Sequence, residues 1–399
     1  MNKSTFFSGQ PIFTQLLKFI PRDVVSRIAR DSKSDRYSKR FSTYEHLVTM
    51  LYSIFNNCNS LREVTTGMLA SEQRLNHMGI RYHPRRSTIS DANTRRSAEV
   101  FGEIYYSLHK KYSQFLSDSR KRSRASKLYV FDATTISLFQ EVLRTSGKNP
   151  SGKRKGGIKV HTLIRSDQDV PSMIRFSAAA ANDSQFLREV HLPKGSIIVF
   201  DRGYYDFTTL NRFSSEGITW VTRRRSNFAY DVLNNLANTN KHNGIIRHQH
   251  IRLGNRSSIR VEGRIIKYRD PDSGELYEFL TNNLRMDALT VTELYRKRWQ
   301  IELLFKRMKQ NYPLKYFLGD SENAIKIQIW CSLIADILLK IVKKGAATKW
   351  SFSNLAAMVR LHLMTYIDLF SFLRSPEKSL LKLFSRRVSG NNNQLLFIT

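Results

Sequence analysis

A chain of 399 residues with 65 Lys plus Arg against 33 Asp plus Glu carries a formal charge of +32. That excess predicts a polyanionic partner, nucleic acid first and an anionic membrane surface second. The length buries a large core and divides into roughly two to four domains. Two cysteines, Cys58 and Cys331, argue against a disulfide framework and fit a reducing cytoplasm. The first residues, MNKSTFFSGQPIFTQLLKFIPRD, hold no uninterrupted apolar run and no small-residue cleavage site, so no signal peptide is expected. The most apolar window, Ile327 to Val342, is broken by Asp336 and Lys340 and predicts a buried helix rather than a membrane span. A soluble, basic, intracellular protein with no membrane partner is the expectation.

Residues 1–125 read as helical. Tyr44 to Phe55 carries a helical apolar period, and Ser87 to Asn93 offers a cap and helix start after Pro84. Arg81, Arg85, Arg86, Arg95 and Arg96, interleaved with Tyr82 and His83, suit a helical DNA-binding domain or an ordinary basic surface. The spacings do not define a helix-turn-helix. Ser117 to Lys127, SDSRKRSRASK, is a polar, basic linker and the first boundary.

Beyond it the pattern turns to strands. Leu128-Tyr129-Val130-Phe131 is a short β-prone run that ends on Asp132. Gly157 to Ile164 and Met173 to Phe176 alternate with period two, Asn182 to Val190 reads as a capped helix, and Ile197-Ile198-Val199-Phe200 ends on Asp201. Residues 222–286 are strand-like but polar, with turns such as Asp270-Pro271-Asp272-Ser273-Gly274, and predict a β-rich insertion. Thr290 followed by Glu293 forms a capping box and predicts a helix from Thr290 to Lys309. On it Leu294, Ile301, Leu304, Phe305 and Met308 make a core-facing stripe roughly 100° wide. Tyr295, Arg298, Glu302 and Lys309 fall on a neighbouring arc of about 60°. An apolar helix ending near Lys344, a helical segment from Phe352 to Leu373 and a loose polar tail, Ser389 to Gln394, complete the chain. No internal repeat is present.

Two strand-end acids and a third on a helix edge have a chemical use. Buried acids are costly unless paired or bound to a cation, and carboxylate oxygens suit hard divalent ions. Two such ions about 3.5–4 Å apart activate a water or 3′-hydroxyl and stabilise the leaving oxygen in phosphodiester cleavage. A strand with an acid, two strands, a helix, a strand with an acid and later a helix with an acid is the order of a ribonuclease-H-like fold. The fold class expected is α/β, a ribonuclease-H-like catalytic core with a β-rich insertion, flanked by N- and C-terminal helical domains. The boundaries are 1–125 for the N-terminal domain, 126–221 and 287–345 for the core, 222–286 for the insertion and 346–399 for the C-terminal region.

Asp132, Asp201 and Glu302 resemble the Asp-Asp-Glu triad of transposases of the insertion-sequence-four family. Tyr295, Arg298, Glu302 and Lys309 match that family's Tyr-x2-Arg-x3-Glu-x6-Lys signature at every position. The segments Phe200 to Tyr204, Lys159 to Thr162 and Lys306 to Gln310 are also similar to family segments, and the region before Ser117 is similar to an N-terminal domain of one branch. The resemblance covers nearly the whole chain. It implies a DNA transposase that binds the terminal inverted repeats of an insertion sequence, cleaves them and joins the 3′-hydroxyl ends to target DNA. It implies that Asp132, Asp201 and Glu302 are catalytic and hold two Mg²⁺ (or Mn²⁺) ions per active site. Tyr295, Arg298, Lys309 and Arg202 would contact DNA, with Trp299 stacking on a flipped base or simply packing. A homodimer on double-stranded DNA, in the cytoplasm of a bacterium and on its nucleoid, is implied as the working form, with the C-terminal helices as the interface. The alternatives are a catalytically inactive, sequence-specific DNA-binding protein of the same fold, or a structure-selective nuclease.

Other signals are weaker. Gly147 to Arg154 misses the phosphate-binding G-x4-G-K-[ST] loop at its last position, which argues against ATP. His161 reads as a packed or hydrogen-bonded strand residue, and His248, Gln249 and His250 lack zinc spacing. Arg223, Arg224 and Arg225 could track DNA or solvate the edge of the insertion.

Overall fold

The computed structural model describes residues 9–117, 127–137, 157–178, 184–204, 206–225, 228–236, 243–254, 259–314 and 316–381. The Gly147 to Arg154 loop, most of the Ser117 to Lys127 linker and the polar tail lie outside the described residues. Two compact units emerge, one from residues 1–116 and 307–399, the other from 117–306.

The first unit opens with helices α1 (Ile12–Leu17), α2 (Arg22–Asp31), α3 (Thr43–Phe55), α4 (Leu61–Leu69), α5 (Arg86–Arg95) and α6 (Ala98–Leu116). Ser42 and Glu45 cap α3 reciprocally, and Ser60 accepts from the Glu63 amide at the start of α4, the local chemistry that starts helices. The helix expected near Ser87 begins at Arg86 with no side-chain cap.

The second unit contains β1 (Leu128–Ser137), β2 (Gly157–Arg165), β3 (Pro171–Ala178), α7 (Ser184–Arg188), β4 (Ile197–Phe200), α8 (Phe207–Ser215) and β5 (Thr219–Arg223). Then come β6 (Tyr230–Asn235), β7 (Ile245–Leu253), β8 (Val261–Arg269), β9 (Leu276–Thr281) and α9 (Ala288–Arg296). Among the described residues the strands form one sheet in the order β3-β2-β1-β4-β5-β9-β8-β7-β6. β1 runs antiparallel to β2 and β2 to β3, whereas β4 lies parallel to β1 and β5 parallel to β4. That five-strand order is the ribonuclease-H-like arrangement. The polar stretch before residue 286 folds as the antiparallel meander β6 to β9, joined to β5 through β9.

The sheet is covered on both faces, which is why its central strands read as continuous apolar runs. Phe131, Ile198, Phe200 and Trp220 pack on one face with Phe186, Leu187, Leu210 and Phe213 of α7 and α8. Leu128, Val199, Val221 and Phe279 pack on the other with Ala288, Val291 and Tyr295 of α9.

α10 (Trp299–Asn311) follows, and the division between the units falls within it, after Lys306. α11 (Glu322–Ala346), α12 (Phe352–Leu361) and α13 (Leu369–Arg374) return to the first unit. α11 is buried along most of its 25 residues, and its Asp336 pairs with Arg307 at 3.3 Å and Lys340 at 3.0 Å. No helix among the described residues is long and apolar enough to cross a membrane. Cys58 and Cys331 are free thiols, both buried.

Candidate active site

The parallel pairing of β1 with β4 ends at Phe131 opposite Phe200. Asp132 and Asp201 are the next residues on each strand, so adjacent strands about 4.8 Å apart present both acids at one ladder end. β1 does not stop at Asp132, as the sequence suggested: it continues to Ser137, with Asp132 paired to Thr162 of β2. The acid is therefore mid-strand, and it is the shorter β4 that ends there. Backbone pairing to β2 goes on past Asp132 to Ser137, and Ile136 beyond it is again buried.

Asp132 is buried, and Oδ1 accepts from the Ala133 amide at 2.9 Å. Its Oδ2 accepts from Arg298 Nη1. Burial pushes the Asp132 carboxyl up to about 6 against the pull of Arg298, and the Asp201 charge adds to the rise. Asp201 Oδ1 accepts from the Tyr295 hydroxyl at 2.9 Å. Burial, and next the Asp201 charge, raise the pKa of that phenol, so it stays a donor. Arg298 Nη1 also lies 2.8 Å from Glu302 Oε1. Burial works against the Arg298 charge, but Asp132, Tyr295 and Glu302 outweigh it and raise its pKa.

The single helix expected from Thr290 to Lys309 is two helices. α9 is capped by Asp287, whose carboxylate accepts from the Thr290 amide at 3.0 Å, so the Thr290–Glu293 box does not start it. Asp287 three residues before Thr290 was the readable signal. Between the helices, Lys297 bonds back to Leu294, Arg298 to Tyr295 and Gln300 to Lys297, each amide reaching three residues back at 3.0 Å. This tightened turn resets the phase. Tyr295, expected on the polar arc, is buried against Phe279 with ring centroids 5.1 Å apart. Arg298 sits in the turn, Glu302 in the first turn of α10, and Ile301, Leu304, Phe305 and Met308 keep their expected burial.

Asp132, Asp201, Tyr295, Arg298 and Glu302 are thus gathered within one unit. Trp299 starts α10 and is 58% exposed, and Arg202 is exposed in the turn after Asp201. Lys309 is exposed near the end of α10, in the part that belongs to the first unit. The sequence reading missed the brace of the second acid's turn: Arg225 donates to the carbonyl oxygens of Arg202 and, at 2.7 Å, Gly203. Arg224 pairs with Glu278 at 2.6 Å, and Arg223 stacks over Tyr277, so this triplet has internal partners. His161 lies flat on Phe186 at 3.9 Å and bonds to Ser177 at 2.8 Å.

The profile of the transposase DDE domain family matches residues 123–337, more than half of the chain and the whole of this constellation. The chain belongs to that family. Residues 8–81 match a second family, a domain of unknown function (DUF4372). A protein named as a transposase from Sinorhizobium fredii is 30% identical over 266 residues, 65% of this chain and 72% of its own length. A protein named as the transposase of insertion sequence element IS4SA, from Synechocystis, is 29% identical over 278 residues, 66% of this chain and 73% of its own. A solved piggyBac transposase synaptic complex with hairpin DNA aligns at 12% identity and a TM-score of 0.44, over 100% of this chain and 88% of that one. The fold assignment rests on strand order rather than on that distant likeness.

A transposase DDE domain implies dependence on divalent metal. All three acids offer the hard oxygen donors such ions prefer. Among the described residues they are not drawn together as a ready ligand cluster, because Arg298 stands between Asp132 and Glu302. A positive guanidinium bridging two of the acids is a stand-in for a cation, and the donor set fits the ion on that observation.

Proposed function

We propose that this chain is the transposase of an insertion sequence of the insertion-sequence-four type. It binds the terminal inverted repeats of its element, cleaves them and transfers the 3′-hydroxyl ends to target DNA. The observation that carries the reading is the ladder end after Phe131 and Phe200, with Arg298 spanning from Asp132 to Glu302. Divalent ions (Mg²⁺ or Mn²⁺, two per site) held by Asp132, Asp201 and Glu302 would activate the attacking oxygen and stabilise the leaving one.

The remaining roles belong to the chain's own residues. Arg298 exchanges its carboxylate partners for a DNA phosphate when substrate arrives, a switch suited to a planar guanidinium. Tyr295 orients Asp201 through its hydroxyl and positions a terminal phosphate. Trp299 offers an exposed ring for a base, and Lys309 and Arg202 add positive charge along the strand. The helical N-terminal domain (1–125) would hold DNA, and the C-terminal helices (346–399) would pair two copies so that two ends are synapsed on the bacterial nucleoid.

The test is to incubate the DNA flanking this gene with the protein and Mg²⁺ and to map breaks to the nucleotide. Cuts at the inverted repeats are expected. Asp132→Asn, Asp201→Asn and Glu302→Gln should each lower cutting by more than about 100-fold, since even outer partners of metal ligands cost 10–100-fold. Binding to the ends should stay within a few-fold. Binding without cutting, in Mg²⁺ and in Mn²⁺, would instead identify a catalytically inactive DNA-binding protein.

A further inference from the structure

Within the first unit, α2, the segment leading into α3 and residues 81–82 enclose a cleft of about 330 Å³. Arg22, Lys39, Arg40 and Arg81 line it, together with Tyr44 and Tyr82. None of these four cations has a carboxylate within 4 Å among the described residues.

Two acids also line the cleft, but both are committed to the frame. Asp35 Oδ1 accepts from the Thr43 amide at 2.6 Å, its hydroxyl at 2.8 Å and Arg96 at 3.3 Å. Glu45 Oε2 accepts from the Ser42 amide and hydroxyl, both at 2.8 Å, as half of the α3 capping box. Both acids are thereby held by the frame, and the four cations of the cleft outnumber them.

Two of the guanidiniums are held by aromatic rings. Arg22 lies 4.7 Å from the centroid of Tyr44, and Arg40 lies 5.7 Å from that of Tyr82. Stacking occupies the flat face and leaves the N–H edges free to fork onto phosphate oxygens. Gly79 makes room: a Cβ there would stand 3.2 Å from Arg22 Nη1 and 3.1 Å from the Tyr44 ring.

From this cleft we infer that the domain of unknown function seats the sugar–phosphate backbone of duplex DNA. The choice of DNA as the polyanion rests on the transposase reading above. Contacts to phosphate carry no sequence information, so the cleft should grip a terminal repeat and an unrelated duplex alike.

The test uses the full chain and two short duplexes, one with the terminal repeat and one scrambled, titrated across a KCl series. The triple variant Lys39→Gln, Arg40→Gln, Arg81→Gln should flatten the slope of log affinity against log salt by about 2–3 on both duplexes, at about 0.9 for each phosphate no longer neutralised. Arg40→Gln alone should account for about 0.9 of that. A control triple at exposed positions of the second unit, Lys194→Gln, Arg269→Gln, Arg285→Gln, should leave the slope near its starting value. An unchanged slope in the cleft triple, an equal change in the control, or a change on the terminal repeat alone would overturn the inference. Cleavage separates the two readings. Ends cut normally with an unchanged slope would remove the cleft alone, whereas a flattened slope in a chain that cuts nothing would keep the cleft and remove the nuclease.

Discussion

Asp201 and Tyr295 show how a single hydrogen bond ties the site to the core. The phenol ring packs on Phe279 while its hydroxyl donates to the carboxylate at 2.9 Å. Tyr295→Phe keeps the packing and removes only the donor. Urea denaturation should show a loss of about 1.5–3 kcal/mol, the range for a hydrogen bond to a charged group, and cutting should fall with it. Unchanged stability would mean that the bond is not held in solution. These residues were legible as types at a spacing: an acid after an apolar run, and a Tyr, Arg, Glu and Lys at fixed intervals. Their partners were not. Nothing local in Arg298 announces that one nitrogen spans Asp132, 166 residues away, and Glu302.

At the scale of elements, the strands were the most readable part, because burial on both faces imposes an unbroken apolar run such as Ile197 to Phe200. The turn between α9 and α10 was hidden, because a helical period survives a short run of three-residue hydrogen bonds with its apolar residues still inward. The meander was visible as strands but not in its attachment. β8 meets β9 so closely at Gly263 that an added Cβ would stand 2.7 Å from the Thr281 carbonyl oxygen and 3.4 Å from Trp220. Gly263→Ala should therefore destabilise the protein by about 1–3 kcal/mol, as overpacking does, read as a lower denaturant midpoint. A midpoint equal to the parent would show that the sheet yields there without strain.

For the molecule as a whole, charge and metal act on different steps. Chelation with EDTA should abolish cutting and leave duplex binding in place, measured side by side on one DNA. Raising salt should weaken binding itself, with affinity falling about a thousandfold or more between 50 and 200 mM if six or more phosphates are contacted. Loss of binding on chelation would show that the ion holds DNA rather than serving the chemistry.

The sequence by itself determined the excess of positive charge, the buried helix of residues 327–342 and the strand and helix order of the core. All of these follow from composition or from periodicity within one element, where burial acts on neighbouring residues. Only the tertiary structure decided that the first unit closes with residues from both ends of the chain and that Asp35 and Glu45 are committed to the frame. It also decided that Arg298 stands between two acids. Such pairings depend on which distant segments meet, and packing selects those by shape and charge balance that no single stretch of sequence contains.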